Sequence, residues 1–183
     1  MKHLLLAFVL SGSFNFVEAQ GTIVQESGKV SFIIKNAGIN VNGSIGGLET
    51  KIYLDQENPA LNKIEGSVDV NTISTGIGIR DKHLKRSDYF DVKKSPKITI
   101  VSSNIQKSAA RKYRGTFDIT IKGITKSVNI PFTFLKTGNR CIFKGEFTIN
   151  RLDFSVGEGS IMLADVVKVK VEISGNIQEH IPQ

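Results

Sequence analysis

Asp81, His83 and Ser87 offer an acid, an imidazole and a hydroxyl within seven positions. Such a set suits nucleophilic hydrolysis only if the imidazole reaches both partners. On a short helix Asp81 and His83 stand two apart and point to different sides, so the spacing builds no dyad. Nothing else near His83 in sequence offers it a partner. His3 and His180 lie at opposite ends of the chain, which excludes a histidine metal cluster. Cys141 is the only cysteine, so no intramolecular disulfide and no CxxC or CxxCH chemistry is available, and the thiol reads as buried. There is no GxSxG elbow and no P-loop, and Gly157-Glu158-Gly159-Ser160 lacks the strand–helix context of a phosphate loop. The residues therefore name no catalytic group and no metal.

The elements that would position any site begin after a leader. Lys2 and His3 precede an apolar run from Leu4 to Leu10, and Val17-Glu18-Ala19 offers a small-residue cleavage site. The run is too short to span a bilayer, so residues 1–19 read as a signal peptide cleaved after Ala19, with an exported domain at 20–183. That length supports a single domain with its own core. The net charge is +7, and residues 80–114 hold eleven Lys or Arg against three Asp. The plain reading of that stretch is a solvated face; the sharper one is a patch for anionic lipid or another polyanion. Interleaved aromatics are few there, so nucleic acid is not expected.

From about Lys29 onward the pattern is period-two alternation. Val30, Phe32 and Ile34 form one set, followed by Val41, Gly43 and Ile45, then Leu48, Ile52 and Leu54. Ile64, Gly66, Val68 and Val70 come next, then Ile98 and Ile100. Tyr113 to Ile121, Val128 to Phe134, Cys141 to Ile149 and Val167 to Ile173 alternate most clearly. The class is all-β. Long strands near 111–122, 125–136 and 139–152, one apolar face each, predict an extended up-and-down antiparallel barrel of about eight strands. A short, charged, helix-compatible insert falls around residues 78–91.

The inward parity is nearly free of charge. Phe32, Ile34, Val68, Phe117, Ile119, Val128, Ile130, Phe132, Phe134, Phe143, Phe147, Ile149, Val169 and Val171 are the candidate lining of an interior cavity. Gly43, Gly66, Gly115 and Gly145 share that parity, and they leave either a void or room for strand coiling. A cavity so walled would take hydrocarbon. Strict alternation also turns Arg151 inward, as a candidate headgroup contact.

Several segments together resemble one family. Arg80-Asp81-Lys82-His83-Leu84, with Asp88-Tyr89-Phe90-Asp91 and Pro96 behind it, is the most specific of them. Val41-Asn42-Gly43, Val70 to Gly76, Gly115 to Lys126, Phe147 to Phe154 and Leu163 to Val167 follow in matching order and spacing. In these segments the chain resembles the YceI-like, polyisoprenoid-binding, lipocalin-like proteins. The resemblance implies a periplasmic or secreted barrel holding an isoprenoid chain, such as a quinone tail or polyprenyl lipid, with no other cofactor required. It places the insert at one mouth of the barrel, with Asn36, Arg80, Asp81 and His83 as headgroup or mouth residues. Asn36 stands where many relatives carry histidine, and Ile45 where many carry an aromatic.

Three functions are open to such a chain. The leading one is non-catalytic carriage or storage of a long isoprenoid lipid outside the cytoplasm, with transient contact to an anionic membrane. The second is a filled barrel acting as an envelope scaffold through the basic stretch 80–114. The third, an enzyme using His83 on a bound lipid, has no partner residue in sequence to support it. A homodimer is compatible with the sequence and not specified by it.

Overall fold

A computed structural model describes residues 21–55, 58 and 61–179. The expected leader and His180 lie outside the described residues. The alternating segments form nine strands: β1 Gly21–Asn36, β2 Ile39–Ile45, β3 Glu49–Leu54, β4 Lys63–Asp69, β5 Lys97–Ala109, β6 Lys112–Ile121, β7 Ile124–Thr137, β8 Arg140–Asn150 and β9 Leu163–Glu179. All ladders are antiparallel, and β1 pairs with β9 over nearly its whole length, which closes the sheet. β2 and β3 occupy the same side of β1 in one unbroken register, with Val30 opposite Ile45 and Ile23 opposite Ile52. Nine segments therefore fill eight positions, giving a closed eight-stranded barrel with one extra strand and one short helix.

The inward parity of β1 changes once, from Ile23 to Val30, at a bulge between Gln25 and Ser27. At the same level Gly46-Gly47 separates β2 from β3, with Gly47 at φ 64°. Both strands flip together, so the ladder between them keeps its register. That bulge also hides the first half of β1 from a search for alternation. The hairpins β1–β2 and β6–β7 turn on Ala37-Gly38 (φ 50° and 78°) and Lys122-Gly123 (φ 54° and 76°), two-residue turns whose twist matches the strands they join.

One end of the barrel collects the β1–β2 and β6–β7 turns and the long β4–β5 and β8–β9 connections. This is the mouth. The other end, the base, is packed solid with aromatic side chains. Tyr113 stacks on Phe132 at 5.4 Å, and Phe134 lies 4.6 Å from Phe143. Along β8 the inward residues change from buried (Cys141, Phe143) to half-buried (Gly145, Phe147, Ile149) on the way to the mouth. On β9, Ile173 is buried, while Val171 and Val169 are half-buried. A solid base thus gives way to an open interior.

Only Gly78–Leu84 of the insert is helical (α1), shorter than the expected 78–91. Turns follow, and Asp91 takes a left-handed φ of 48°. Backbone hydrogen bonds between Ser44 and Ser74 (2.8 and 2.9 Å) tie the insert to β2. Ile73, Leu84 and Phe90 pack with Ile45 and Val68, covering the wall where β4 pairs with β3 but not with β2.

A second gap opens between β7 and β8, whose ladder stops toward the mouth at Phe132 opposite Gly145. Pro131 is the next residue of β7 and has no N–H to continue it. The 3₁₀ turn Arg151–Phe154 packs beside β7 at this gap, with Phe154 buried. β8 ends at Asn150 rather than at residue 152 because the Asn150 side chain accepts the Leu152 N–H (2.9 Å) and starts that turn.

Candidate functional site: a blind apolar cavity with a polar mouth

Inside the upper barrel lies a cavity of about 530 Å³. Phe117, Ile130, Phe132 and Phe143 line its deep end, where they adjoin the aromatic base. Phe32, Ile34, Val68, Ile119, Phe147, Ile149, Val169 and Val171 line its walls. Two of the expected lining residues do not reach it. Phe134 points into the solid base against Tyr113 and Phe143. Val128 shares the inward parity but packs into the buried cluster that includes Phe154. A strand's alternation tells which face a residue takes and not which level of the barrel is filled.

The inward glycines divide in the same way. A Cβ at Gly43 would lie 2.2 Å from the Phe32 ring, and one at Gly115 would lie 2.5 Å from the Phe117 ring. Those two glycines seat aromatic rings and leave no void. Gly66 and Gly145 border the cavity, and a Cβ at Gly145 would meet nothing nearer than 3.7 Å.

Polar groups gather at the mouth, where Asn36, Thr75, Arg80, His83 and Ser160 line the rim. Most are already committed. Arg80 donates from Nε to Thr75 Oγ1 (2.7 Å) and from Nη2 to the Thr75 carbonyl (2.9 Å), a clamp that spends its guanidinium on the chain itself. Asp81 does not line the cavity; its Oδ1 accepts the Thr75 N–H (2.8 Å) and hydroxyl (2.5 Å). Together Arg80 and Asp81 lock the entry to α1.

His83 does have a partner, five residues on. Its Nε2 lies 3.1 Å from Asp88 Oδ2, and its ring meets Tyr89 edge-on at 4.8 Å. Desolvation works to raise the Asp88 carboxyl. The His83 hydrogen bond, a backbone hydrogen bond and the charge of Arg86 outweigh it and hold the group below the usual range. Asp88 therefore stays ionised beside an exposed imidazole. Ser87 is not hydrogen-bonded to either, and its carbonyl instead accepts from Lys122 Nζ (3.1 Å).

Arg151 is inward and buried, as alternation requires, yet it is not free for a headgroup. Its guanidinium donates to the carbonyls of Ala164 (3.0 Å), Val156 (2.9 Å) and Leu163 (3.3 Å) and to Asp165 Oδ1 (2.9 Å). Four of its five N–H groups are thus spent holding the β8–β9 connection in place. The basic stretch 80–114 is likewise not one surface. β5 carries the chain from Lys97 at the mouth to Lys107 near the base, about 33 Å at a normal rise per residue. Its positive charges fall into two separate groups.

Sequence reasoning missed the residues that roof the cavity. Leu84, Tyr89 and Phe90 from the insert, and Met162 and Leu163 from the β8–β9 connection, all line it. They lie at the end of α1, in irregular segments or at a strand end, where period-two alternation gives no sign of orientation.

The YceI-like domain pattern matches residues 22–175. A UPF0312 protein of Pseudomonas paraeruginosa is 29% identical over 165 residues, covering 82% of this chain and 86% of its own. The crystal structure of Burkholderia cenocepacia BcnA superposes with a TM-score of 0.78 at 28% identity, covering 81% of this chain and 96% of that one. A polyisoprenoid binding domain from Saccharophagus degradans shares the fold, with a TM-score of 0.67 at 10% identity over 88% of this chain and 100% of that one. With a closed eight-position barrel, a mouth-side insert and a match running from β1 into β9, the chain belongs to the YceI-like domain family.

Proposed function

We propose that this protein is a non-catalytic carrier that holds one long-chain isoprenoid lipid, of quinone or polyprenyl type, outside the cytoplasm. The observation that carries this reading is the shape and chemistry of the cavity: a solid aromatic base, walls mostly of branched aliphatic side chains and phenylalanine, where the Thr50 hydroxyl is spent on Gln25, and a cluster of polar side chains at the mouth. A hydrocarbon chain fits the walls, and a small polar head fits the rim. Asn36, His83 and Ser160 are the rim residues we assign to that head. The apolar leader and its cleavage site support export, and a cargo of this kind implies transient contact with a membrane surface. A family neighbour that is a polyisoprenoid binding domain supports the same class of cargo.

Binding by burial has a quantitative signature. Each methylene moved from water into the cavity contributes about 0.8 kcal/mol, roughly a fourfold gain in affinity. In a titration of quinones of increasing isoprenoid length, affinity should climb steeply until the cavity is full and then level off. Affinity that ignores chain length would sink the carrier reading.

A further inference from the structure

The mouth is bordered by three segments of chain, each ending in bare apolar side chains. Ile39 follows the β1–β2 turn and is 72% exposed. Ile77 and Ile79, at the start of α1, are 52% and 85% exposed. Ile161 and Met162, in the β8–β9 connection, are 103% and 56% exposed. The first and third segments are joined where the Ala37 N–H donates to the Met162 carbonyl (2.7 Å). The second is tied to β2 through Ser44 and Ser74. Single exposed aliphatics are ordinary on a protein surface. Gathering five of them on three separate segments at one end of the barrel is not.

We propose that these side chains form a collar that seats the cavity mouth on an anionic bilayer. Two features choose a bilayer over a protein partner. The collar is continuous with the cavity, since Met162 belongs to both, so a chain leaving the bilayer passes from one apolar surface to another. Around it the insert carries six Lys or Arg (80, 82, 85, 86, 93 and 94) against Asp81, Asp88 and Asp91. That excess matches anionic headgroups, while the isoleucines reach the acyl boundary. The basic group at the far end of β5 faces away and takes no part. This proposal rests on the carrier reading for its purpose, and its test is separate from that reading.

The test is co-sedimentation with vesicles of phosphatidylethanolamine and phosphatidylglycerol, against vesicles of phosphatidylcholine alone. The variants are Ile79→Ser, Ile161→Ser and both together; neither residue lines the cavity, and both are solvent-exposed, so folding should be unchanged by circular dichroism. The wild type should partition onto the anionic vesicles, and each substitution should weaken partitioning about tenfold. Added salt should weaken it further. Variants that partition as the wild type does, or a wild type that ignores both vesicles, would overturn the collar. Uptake of detergent-dispersed polyprenol by the same proteins separates the two ideas. If the variants lose vesicle binding and keep uptake, the collar stands with the carrier reading. If no protein takes up lipid while vesicle binding falls as predicted, the collar stands and the carrier reading fails.

Discussion

Gly145 sits on the cavity-facing side of β8, opposite Phe132 of β7 and Val171 of β9. A side chain there would enter open interior, because its Cβ would meet Ile130 Cγ2 at 3.7 Å and Phe132 Cβ at 3.8 Å, both ordinary contacts. Gly145→Leu places four carbons inside a space of about 530 Å³. If a lipid chain occupies that space, about four of its methylenes are displaced, which at about 0.8 kcal/mol each weakens binding by about 3 kcal/mol. That is about two orders of magnitude in Kd. Gly145→Ala displaces one carbon and should cost only about fourfold. Neither change should destabilise the lipid-free barrel, since a β-strand gains from losing a glycine and the new side chain covers apolar wall. Gly43→Leu is the contrast: its Cβ would collide with the Phe32 ring, so it should lower stability instead. Quinone binding by isothermal titration calorimetry and urea unfolding, measured on the same proteins, give both quantities. An unchanged Kd for Gly145→Leu, with the barrel intact, would refute the placement of cargo in this cavity.

Arg151→Met should cost on the order of 3 kcal/mol in urea unfolding, because three carbonyls and Asp165 lose their donor where the β8–β9 connection folds back; a cost below about 1 kcal/mol would contradict its structural role. At the base, burial pushes both the Tyr113 hydroxyl and the Cys141 thiol up, the latter partly offset by the Gly175 backbone and pushed further by the charge of Glu26. Groups with raised folded-state values bind protons more tightly when folded. Their stabilisation is therefore complete below the unfolded thiol value of about 8.5 and is lost as pH rises past it and past the tyrosine value of about 10. The thermal midpoint should fall across that alkaline range, and Cys141 should react with a thiol reagent only in denaturant. Rapid labelling of the folded protein would contradict the packed base.

The barrel was legible in the sequence because alternation survives wherever one face meets the interior and the other meets water. It failed where the backbone departs from regular pairing. The bulge after Gln25 hid the start of β1, and the Asn150 cap stopped β8 early. The walls of the cavity were legible in the same way, through residues such as Phe147 and Val169. The level at which packing ends was not, so Phe134 and Val128 were grouped with true lining residues. The mouth was the least legible part. Contacts such as His83 with Asp88, and the burial of Arg151 under its own connecting loop, depend on how irregular segments fold back over the barrel. No periodicity encodes that.

The most direct test of the account is native mass spectrometry of the purified protein, followed by organic extraction of whatever it carries. The account predicts one bound mass per barrel, released as a long-chain isoprenoid species and absent from Gly145→Leu. A protein that flies ligand-free, and remains so after incubation with quinones and polyprenols, would contradict it.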